Sequence, residues 1–452
     1  MLIGRLRRRL RSRSTAERFR QRQQDFSRQR LLSFAAVVLL ILRGHKLSLQ
    51  NALNKLFTSL GQVFGVPTAS AYCQARQKLK PELFQYLNES VCDDFYVLYE
   101  EEGRVHRWRS HRLLACDGTY LNLPDTPHTR QEFFLQTNQF QSGSAVQALS
   151  CILYDLLNEV ALGASLSTRE AETKPLLQQL WERTAEGDIL ILDRNFASYL
   201  LFATAIGSGR ELVVRLSAHS FKQARKLFQR KRFHQPQYEQ VVEIECPASA
   251  LKVVREQGLA ERVRLRLVSF RLETGEIEVL ATTLLDEAQY PAAEFKWLYG
   301  KRWGAEGFIG RVKNILEAER FSGESPLVIR QDYYGVIFLA TLESVLAASD
   351  RQRLSEQAAE KEAEEVALSP VQEEQHGVKQ INHCVSYAAL LERLIELLLS
   401  RRSTEKVLEE MHHLFRTSPS RARPHRRYGR PKEASHRSAL LRYQKYVRKL
   451  IA

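Results

Sequence analysis

Residues 299–313 read YGKRWGAEGFIGRVK and combine helical spacing with an unusual set of side chains. At about 100° per residue, one helical face about 60° wide carries four of them: Tyr299, Arg302, Glu306 and Lys313. A core-facing stripe would be apolar, and a solvated helix would spread its charges around the axis. This mixed face suits a carboxylate on a metal ion, cations on neighbouring phosphates and an aromatic ring against a sugar or base.

Four glycines in the same stretch need an explanation, because each costs up to about 1 kcal/mol relative to alanine inside a helix. They are Gly300, Gly304, Gly307 and Gly310. A close approach of the backbone to a ligand or a strand is one explanation, and a broken helix is the alternative. We expect a long helical segment that begins at Pro291, a residue that suits the first turn of a helix.

Two further carboxylates occupy notable positions in predicted strands. Asp117 lies inside a strand at residues 112–123, and Asp193 ends the apolar run Ile-Leu-Ile-Leu, as in a buried parallel strand. Taken singly, an aspartate at a strand end is more often a cap or a turn former. Converging with Glu306, however, the two could hold Mg²⁺ ions roughly 4 Å apart, an arrangement that serves in-line phosphoryl transfer.

The order of the predicted elements indicates an α/β fold with a mixed sheet flanked by helices. Strands are predicted at residues 112–123, 146–154, 159–166, 188–193, 211–216, 238–246, 263–272 and 277–285. Helices are predicted at residues 169–185, 198–206, 333–348 and 387–400, besides the segment after Pro291 and several short helices within residues 31–100.

The run from Tyr299 to Lys313 matches Y-x(2)-R-x(3)-E-x(6)-K and resembles the signature of IS4-family DDE transposases. Asp117-Gly-Thr resembles the first catalytic block of that family, and Leu-Asp193-Arg resembles the second. The gap of 113 residues from Asp193 to Glu306 fits the β-rich insertion that precedes the last catalytic helix in this family. The resemblance covers residues 30–345.

The resemblance implies a ribonuclease-H-like catalytic core that binds two Mg²⁺ or Mn²⁺ ions through Asp117, Asp193 and Glu306. Enzymes of this family cut DNA at the ends of an insertion sequence and join the freed 3′-hydroxyl to target DNA. The expected activity is therefore that of a cut-and-paste DNA transposase.

By the same resemblance, Tyr299, Arg302 and Lys313 are expected to contact DNA near the cleaved end. The expected partners are the terminal inverted repeats and the target DNA. A homodimer is expected in the synaptic complex, because two ends must be brought together. The expected location is the bacterial cytoplasm, with nucleoid association when the protein is bound to DNA.

The net formal charge of +15 is concentrated at the two ends of the chain. Residues 1–30 contain 11 Arg and 2 acidic residues, and residues 416–452 contain 12 Lys and Arg and 1 acidic residue. Residues 350–376 carry a charge of −5, which leaves the rest of the body neutral. Each end is either a solubilising terminus or an Arg-rich arm that binds phosphates with salt-sensitive affinity.

Other classes of protein lack support in the sequence. The six cysteines lie far apart with no C-x-x-C spacing, so we expect reduced thiols and no structural zinc. Neither a G-x(4)-G-K-[ST] phosphate loop nor a G-x-G-x-x-G motif after a strand is present. No run reaches the ~18 apolar residues of a membrane span, and residues 31–42 are predicted to form a core helix. We therefore expect no membrane partner.

The predicted organisation places one catalytic core between helical regions. In chain order it comprises a basic N-terminal arm (1–30), a helical region that is a possible DNA-binding domain (31–105), the first part of the core (106–217), a β-rich insertion (218–275), the second part of the core (276–349), a helical C-terminal region (350–416) and a basic tail (417–452). A basic helix bearing Arg76, Lys78 and Lys80 is either a DNA-reading element or part of an ordinary helical subdomain.

The alternatives to a transposase keep the fold or the partner but change the function. One is a related metal-dependent nuclease or a domesticated sequence-specific DNA-binding protein without transposition activity. Another is a basic nucleic-acid-binding or regulatory protein whose carboxylates are structural. Inverted repeats around several genomic copies would favour a mobile element, and Mg²⁺-dependent cleavage would exclude a purely regulatory role.

Overall fold

The computed structural model describes residues 1–28, 30–44, 48–62, 64–137, 144–228, 237–368, 379–400 and 403–421, so most of the predicted basic tail lies outside the described residues. The strands described are β1 Leu113–Asn122, β2 Phe134–Thr137, β3 Ser144–Asp155, β4 Val160–Ser167, β5 Ile189–Leu192, β6 Glu211–Arg215, β7 Gln237–Glu245, β8 Arg262–Arg271, β9 Ile277–Thr282, β10 Lys379–Gln380 and β11 Ser420–Arg421. The α-helices described are α1 Leu2–Arg11, α2 Arg13–Phe19, α3 Phe34–Arg43, α4 Leu49–Ser59, α5 Ala69–Arg76, α6 Glu82–Glu101, α7 Pro127–Glu132, α8 Thr173–Pro175, α9 Tyr199–Gly207, α10 Lys222–Phe228, α11 Ala248–Glu256, α12 Phe295–Gly300, α13 Trp303–Asn314, α14 Pro326–Leu346, α15 Ala348–Leu368, α16 His383–Leu398 and α17 Thr404–Thr417.

A mixed sheet of nine strands forms the centre of the described part of the chain. Five of its strands have the order β4-β3-β1-β5-β6. In this group β3 is antiparallel to both of its neighbours, whereas β1, β5 and β6 are parallel. This order and these directions are those of a ribonuclease-H-like core. Helices pack against the sheet, so the predicted α/β fold with a mixed, helix-flanked sheet is confirmed.

The composition of the middle strands explains their central position. All four residues of β5, Ile-Leu-Ile-Leu, are buried, and so are the first four residues of β1. Strands covered on both faces are apolar at every position, because neither face meets water. β1 and β5 therefore lie in the centre of the sheet. Because the two strands are parallel, the polar residues that follow their buried parts lie beside each other.

The segment predicted as a β-rich insertion, 218–275, extends the same sheet. β9 pairs with β6, and β8 and β7 continue the antiparallel pairing beyond it. The segment also contains α10 and α11, which the sequence analysis did not predict. α11 is nine residues long, and only Val254 in it is buried.

The helices before and after the core share one apolar layer. α14 packs against α3, α6 and β4, and a methyl group placed on Gly335 of α14 would lie 3.5 Å from Leu42 and 3.8 Å from Phe84. Residues 34–42 of α3 are all buried, which confirms the predicted core helix. Among the described helices, none combines the length and the apolar character that crossing a membrane requires.

The basic segment 1–30 differs from the predicted arm, because its first residues form helices that pack on this layer. One face of α1 is buried: Leu2, Ile3, Leu6 and Leu10. Arg5 and Arg9 donate hydrogen bonds to Asp94 of α6, and Arg7 donates to backbone carbonyls at the end of α16. Apolar residues at helical spacing, interleaved with arginines, thus give a strongly basic segment a core-facing side.

Arg76 is buried between α5 and α14 rather than displayed on a DNA-reading surface. The side chain is 4% exposed, and it donates to Gln331 at 2.7 Å and to Asp332 at 2.5 Å. Its guanidinium also donates to the hydroxyl of Ser322. Arg76 therefore connects the N-terminal helical region to α14, and this part of the predicted basic helix is structural.

Replacement of Arg76 should destabilise the protein through this buried ion pair. We expect Arg76→Met to lower the free energy of unfolding by about 3 kcal/mol, because Asp332 loses its cation in a site with little water. Lys78→Met, two residues further along, is the control and should change it by less than about 0.5 kcal/mol. Chemical denaturation measures both. An Arg76→Met protein of parental stability but weaker DNA binding would instead support the DNA-reading interpretation.

Candidate active site

Asp117 lies where β1 changes from a fully buried strand to a partly exposed one. The four preceding residues are buried, and the carboxylate itself is 15% exposed. Its Oδ1 accepts a hydrogen bond from the backbone N–H of Gly118 at 3.0 Å. The strand thus fixes the position of one acidic group at the boundary between the core and the surface.

Asp193 follows β5 directly, at the end of the strand that pairs in parallel with β1. Its Oδ1 accepts a hydrogen bond from the backbone N–H of Asn195 at 2.8 Å and caps a short 3₁₀ turn. Because β1 and β5 run in the same direction, the polar residues that end their buried runs lie on the same side of the core.

Glu306 lies on α13, which is separated from α12 by a break at residues 301–302. The long helix expected from Pro291 is therefore interrupted, as in the broken-helix alternative: a 3₁₀ turn precedes α12, and α13 begins only at Trp303. The break places Arg302 at the N-terminal end of α13, one turn before Glu306. The four polar residues of the signature consequently lie on two helices rather than on one continuous face.

Arg302 connects two of the predicted acidic residues. Its Nη2 donates a hydrogen bond to Glu306, and its Nη1 lies 3.7 Å from Oδ2 of Asp117. The side chain is 7% exposed, so these interactions are only weakly screened by water. The guanidinium group predicted to contact DNA therefore lies between the carboxylates of β1 and α13.

The pKa values of two carboxyl groups are raised by burial first and by neighbouring carboxylates second. Burial raises the pKa of Asp117 to about 6; Arg302 opposes the rise, and the charges of Glu306 and Asp193 add to it. Burial likewise raises the pKa of Glu172 to about 7, with further contributions from the charges of Asp193 and Asp117. The four acidic residues therefore lie within one electrostatic cluster.

Glu172 is a member of this cluster that the sequence analysis missed. It precedes α8, in a segment between β4 and β5 that was predicted to be an ordinary helix. Neither spacing nor local composition distinguishes Glu172 from its neighbour Glu170 in the sequence. Only the folded chain places its carboxylate against Gly118, the residue after Asp117, so the sequence contains no signal that could have identified it.

The other two predicted DNA contacts lie on opposite sides of the helix break. Tyr299 of α12 is 5% exposed, and its hydroxyl has no hydrogen-bond partner among the described residues. Lys313 of α13 donates to the carbonyl of Tyr120 at 2.9 Å and to the hydroxyl of Thr119 at 3.3 Å. Lys313 therefore lies against β1, a few residues beyond Asp117.

The chemistry of the site fits a divalent cation, although its side chains are not arranged around one. In the described residues no group of three or more His, Cys, Asp and Glu side chains has the geometry of a metal site. Arg302 is inserted between Asp117 and Glu306, and Asp193 is turned towards a backbone N–H. The donors are nevertheless carboxylate oxygens, the ligands that Mg²⁺ and Mn²⁺ prefer. One of them, Oε2 of Glu172, is buried and has no hydrogen-bond partner among the described residues.

The strand order is that of the ribonuclease-H-like class of folds, and the acidic cluster is its candidate active site. Residues 108–342, more than half of the chain, match the family described as Transposase DDE domain. The chain therefore belongs to the DDE transposase domain family, which is generally dependent on divalent metal ions.

Comparison with known proteins confirms the resemblance to IS4-family transposases. The chain is 24% identical over 278 residues to the transposase InsG for insertion sequence element IS4 of Escherichia coli strain K12. The match covers 60% of this chain and 60% of that relative, so the chain spans about 60% of the length of the curated relative. A structural alignment with a cryo-EM structure of the piggyBac transposase synaptic complex with hairpin DNA covers 97% of this chain and 88% of that protein's chain. The sequence identity is 9% and the TM-score is 0.42.

The acidic cluster should give the metal-free protein a distinctive pH dependence. The pKa values of Asp117 and Glu172 lie above their ordinary values, so the folded state binds more protons than the unfolded state between about pH 4 and pH 7. The contribution of these two groups to the free energy of unfolding is therefore present below about pH 4 and is lost as the pH rises to about 7.

We expect the double variant Asp117→Asn, Glu172→Gln to be more stable than the parent at pH 8 in EDTA by roughly 1–2 kcal/mol. At pH 4 the difference should largely vanish, because the parental carboxyl groups are then protonated. Urea denaturation across this pH range measures the effect, with the exposed Glu182→Gln as control. Parallel pH curves for parent and double variant would contradict the proposed clustering of charge.

Proposed function

We propose that this chain is an insertion-sequence transposase that cleaves DNA at the ends of its element and joins the 3′-hydroxyl to target DNA. One observation carries the proposal: Asp117, Asp193 and Glu306, from two parallel strands and a helix of a ribonuclease-H-like core, interact electrostatically, and a single guanidinium group contacts two of them. A structural ion pair needs one carboxylate for each cation. An excess of carboxylates at a sheet edge is instead suited to binding metal ions and phosphate.

In this proposal Asp117, Asp193 and Glu306 hold two Mg²⁺ or Mn²⁺ ions. Bound there, such ions would lower the pKa of the attacking water and neutralise charge on the scissile phosphate. The buried ends of β1 and β5 keep two of these carboxylates fixed relative to each other. Neither ATP nor a covalent protein–DNA bond is required for this chemistry.

Arg302, Tyr299 and Lys313 are proposed to position the DNA. Arg302 can exchange its contact with Glu306 for a phosphate oxygen, because a guanidinium forms strong bonds with either group. Lys313 extends the positive charge along β1, where its ammonium group lies 3.4 Å from a carboxylate oxygen of Glu319 and can exchange this contact for a phosphate oxygen. Trp303 is 58% exposed, and its ring lies beside Arg302. This ring is suited to stack on a base.

Three of the four glycines support close approach of DNA to these helices. A methyl group added at Gly300, Gly307 or Gly310 would meet no atom of the described residues within 4 Å beyond its own stretch of helix, so internal packing does not explain these glycines. Only Gly304 faces a neighbour, since a methyl group there would lie 3.3 Å from Leu156. An open backbone beside the acidic cluster allows a phosphodiester chain to approach closely.

The same proposal assigns the partners. Terminal inverted repeats and target DNA are the substrates, and a homodimer holds two ends together in the synaptic complex. The protein is then expected to act on the nucleoid in the bacterial cytoplasm. The molecular mass of the DNA-bound protein, measured by size-exclusion chromatography with light scattering, tests the proposed homodimer.

Loss of Asp117 should abolish DNA cleavage but leave DNA binding. We expect Asp117→Asn to reduce Mg²⁺-dependent nicking of a duplex bearing the flanking inverted repeats by about 10³-fold, or about 4 kcal/mol in activation free energy. Binding of the same duplex should remain measurable in a gel-shift assay. Asp286→Asn, an exposed aspartate in a loop, is the control.

Each possible result of this assay identifies a different function. Normal cleavage by Asp117→Asn would contradict the metal assignment. Cleavage of DNA regardless of the repeats would favour the related nuclease. Binding of the repeats by the parent without any cleavage would favour the domesticated DNA-binding protein.

Removal of Lys313 should weaken binding through one phosphate contact. We expect the slope of log K against log salt concentration to become less steep by about 1 in Lys313→Ala, because one counterion fewer is released on binding. Fluorescence anisotropy at several salt concentrations measures the slope. Lys252→Ala, on the exposed side of α11, is the control and should keep the parental slope. An unchanged slope in Lys313→Ala would exclude its contact with phosphate.

A further inference from the structure

Helix α13 carries Glu306 on one flank and uses the other flank to contact the end of β3 and the turn that follows it. At about 100° per residue, Gly304, Phe308 and Arg311 lie within about 60° of each other around the helix. Glu306 lies roughly opposite these three residues. A rotation of α13 about its own axis therefore moves Glu306 by the same angle as it moves the contacts of the other flank.

The contacts of this second flank are close and mostly buried. The ring of Phe308 packs on the ring of Tyr154, with centroids 4.6 Å apart, and both residues are buried. A methyl group placed on Gly304 would lie 3.3 Å from the side chain of Leu156. Nη2 of Arg311 donates a hydrogen bond to the hydroxyl of Tyr154 at 3.0 Å. The end of β3 thus supports α13 along one side.

Glu159, in the turn between β3 and β4, connects this flank of α13 to α15. Its Oε2 lies 3.7 Å from Nη2 of Arg311 and accepts a hydrogen bond from Nη1 of Arg351 at 3.0 Å. Burial alone would raise the pKa of Glu159, but the charges of Arg351 and Arg311 hold this pKa below its ordinary value. The carboxylate is therefore ionised, and it is shared between the helix of Glu306 and the first turn of α15.

The backbone of Glu159 has a conformation that favours a different amino acid. Its φ is +56°, in the left-handed region, which glycine adopts freely and which is unfavourable for residues with a β-carbon. Glycine or asparagine is the usual residue at such a position in a turn. A glutamate there needs an explanation in its side chain, and the two arginines that its carboxylate contacts provide one.

The surroundings of the turn hold this unfavourable conformation in place. Oδ1 of Asp155 accepts hydrogen bonds from the backbone N–H groups of Leu157 at 3.0 Å and Asn158 at 2.9 Å. The hydroxyl of Ser344 in α14 donates to the backbone carbonyl of Glu159. Asp155 and Asn158 are both buried. The turn is therefore a fixed support from which a carboxylate can hold a helix.

We propose that Glu159 is a positioning residue for α13, whose carboxylate, held between Arg311 and Arg351, fixes the rotation of this helix and hence the place of Glu306. The inference rests on the proposed function, because it takes Glu306 as one of the carboxylates that act in DNA cleavage. Glu159 contacts neither DNA nor a metal ion in this assignment and acts only through α13. It also connects the candidate active site to α15, the first helix of the C-terminal region.

Two substitutions of Glu159 separate the positioning of α13 from the stability of the turn. Glu159→Gln removes the charge and keeps a β-carbon in the left-handed conformation, whereas Glu159→Gly removes the charge and relieves the backbone. We therefore expect Glu159→Gly to melt at a higher temperature than Glu159→Gln. Both variants should nevertheless cleave the duplex with the flanking repeats about 10–100-fold more slowly than the parent at saturating DNA, with near-parental DNA affinity.

A matched control removes a glutamate–arginine ion pair elsewhere. Glu261→Gln breaks an exposed pair with Arg255, far along the chain from α13, and should cleave at the parental rate. Cleavage rates that follow the melting temperatures, with Glu159→Gly restored towards the parent, would assign Glu159 a purely structural role and overturn the proposal.

Hydrogen exchange of the full-length protein, without metal or DNA, tests the inference without any cleavage. In Glu159→Gln, the backbone amides of α13 should exchange faster than in the parent, because the helix loses one of its supports. The amides of the central strands β5 and β6 should keep their parental rates. Equal acceleration in α13 and in these strands would show a general loss of stability and contradict the proposal, as would unchanged exchange in α13.

Arg311→Met tests whether the effect of Glu159 on cleavage passes through α13. Alone, it should slow cleavage in the same direction as Glu159→Gln. The double variant should be about as slow as the slower single variant, because both substitutions remove the same contact. Losses that multiply in the double variant would show that Glu159 and Arg311 act independently, which contradicts the proposed bridge.

Failure of this inference and failure of the proposed function give different results. If Asp117→Asn abolishes cleavage while both variants of Glu159 cleave at the parental rate, the inference is overturned and the proposed function stands. If the parent cleaves no duplex with the repeats, but exchange in α13 still accelerates in Glu159→Gln, the proposed function fails while Glu159 still fixes α13.

Discussion

Electrostatic repulsion among carboxylates that the fold forces together is the constraint on which the site depends. The parallel strands β1 and β5 fix Asp117 and Asp193 near the same edge, while α13 brings Glu306 beside them. Arg302 contacts two of these groups, but one guanidinium cannot neutralise four carboxylates. Burial and this excess charge raise the pKa values of Asp117 and Glu172. Protonation of Asp117 and Glu172, or positive charge beyond that of Arg302, therefore relieves the repulsion.

The packing of the rest of the fold offsets the free-energy cost of this repulsion. β5 is buried at every residue, and most of α14 is buried between α6 and β4. A site of high charge density keeps its geometry only when it is built on elements whose packing is stable without it. The ion pair of Arg76 with Asp332 also stabilises the fold, because it connects the N-terminal helical region to α14.

The strands and the three acidic residues could be predicted because their signals are local. An apolar run followed by an aspartate indicates a buried strand, as in β5 and Asp193. Arg302 and Glu306 keep their predicted helical spacing because both lie at the first turn of α13, after the break. The break itself could not be predicted, since glycines permit both a helix and an interruption. Glu172 could not be predicted either, because only the folded chain places its carboxylate against Gly118, the residue after Asp117.

The N-terminal helices show why a count of charges overstates the surface available to DNA. Residues 1–30 carry a net charge of +9, which suggests an arm that grips phosphates. Arg5 and Arg9, however, neutralise Asp94, and Arg7 bonds to carbonyls at the end of α16. A guanidinium paired inside the protein releases few counterions when DNA binds, so it adds little to the salt-dependent affinity. Arg302 is paired as well, with Glu306, but a metal ion bound by Glu306 would free this guanidinium for the phosphates of the cleaved end, which is the difference between it and the paired arginines of α1.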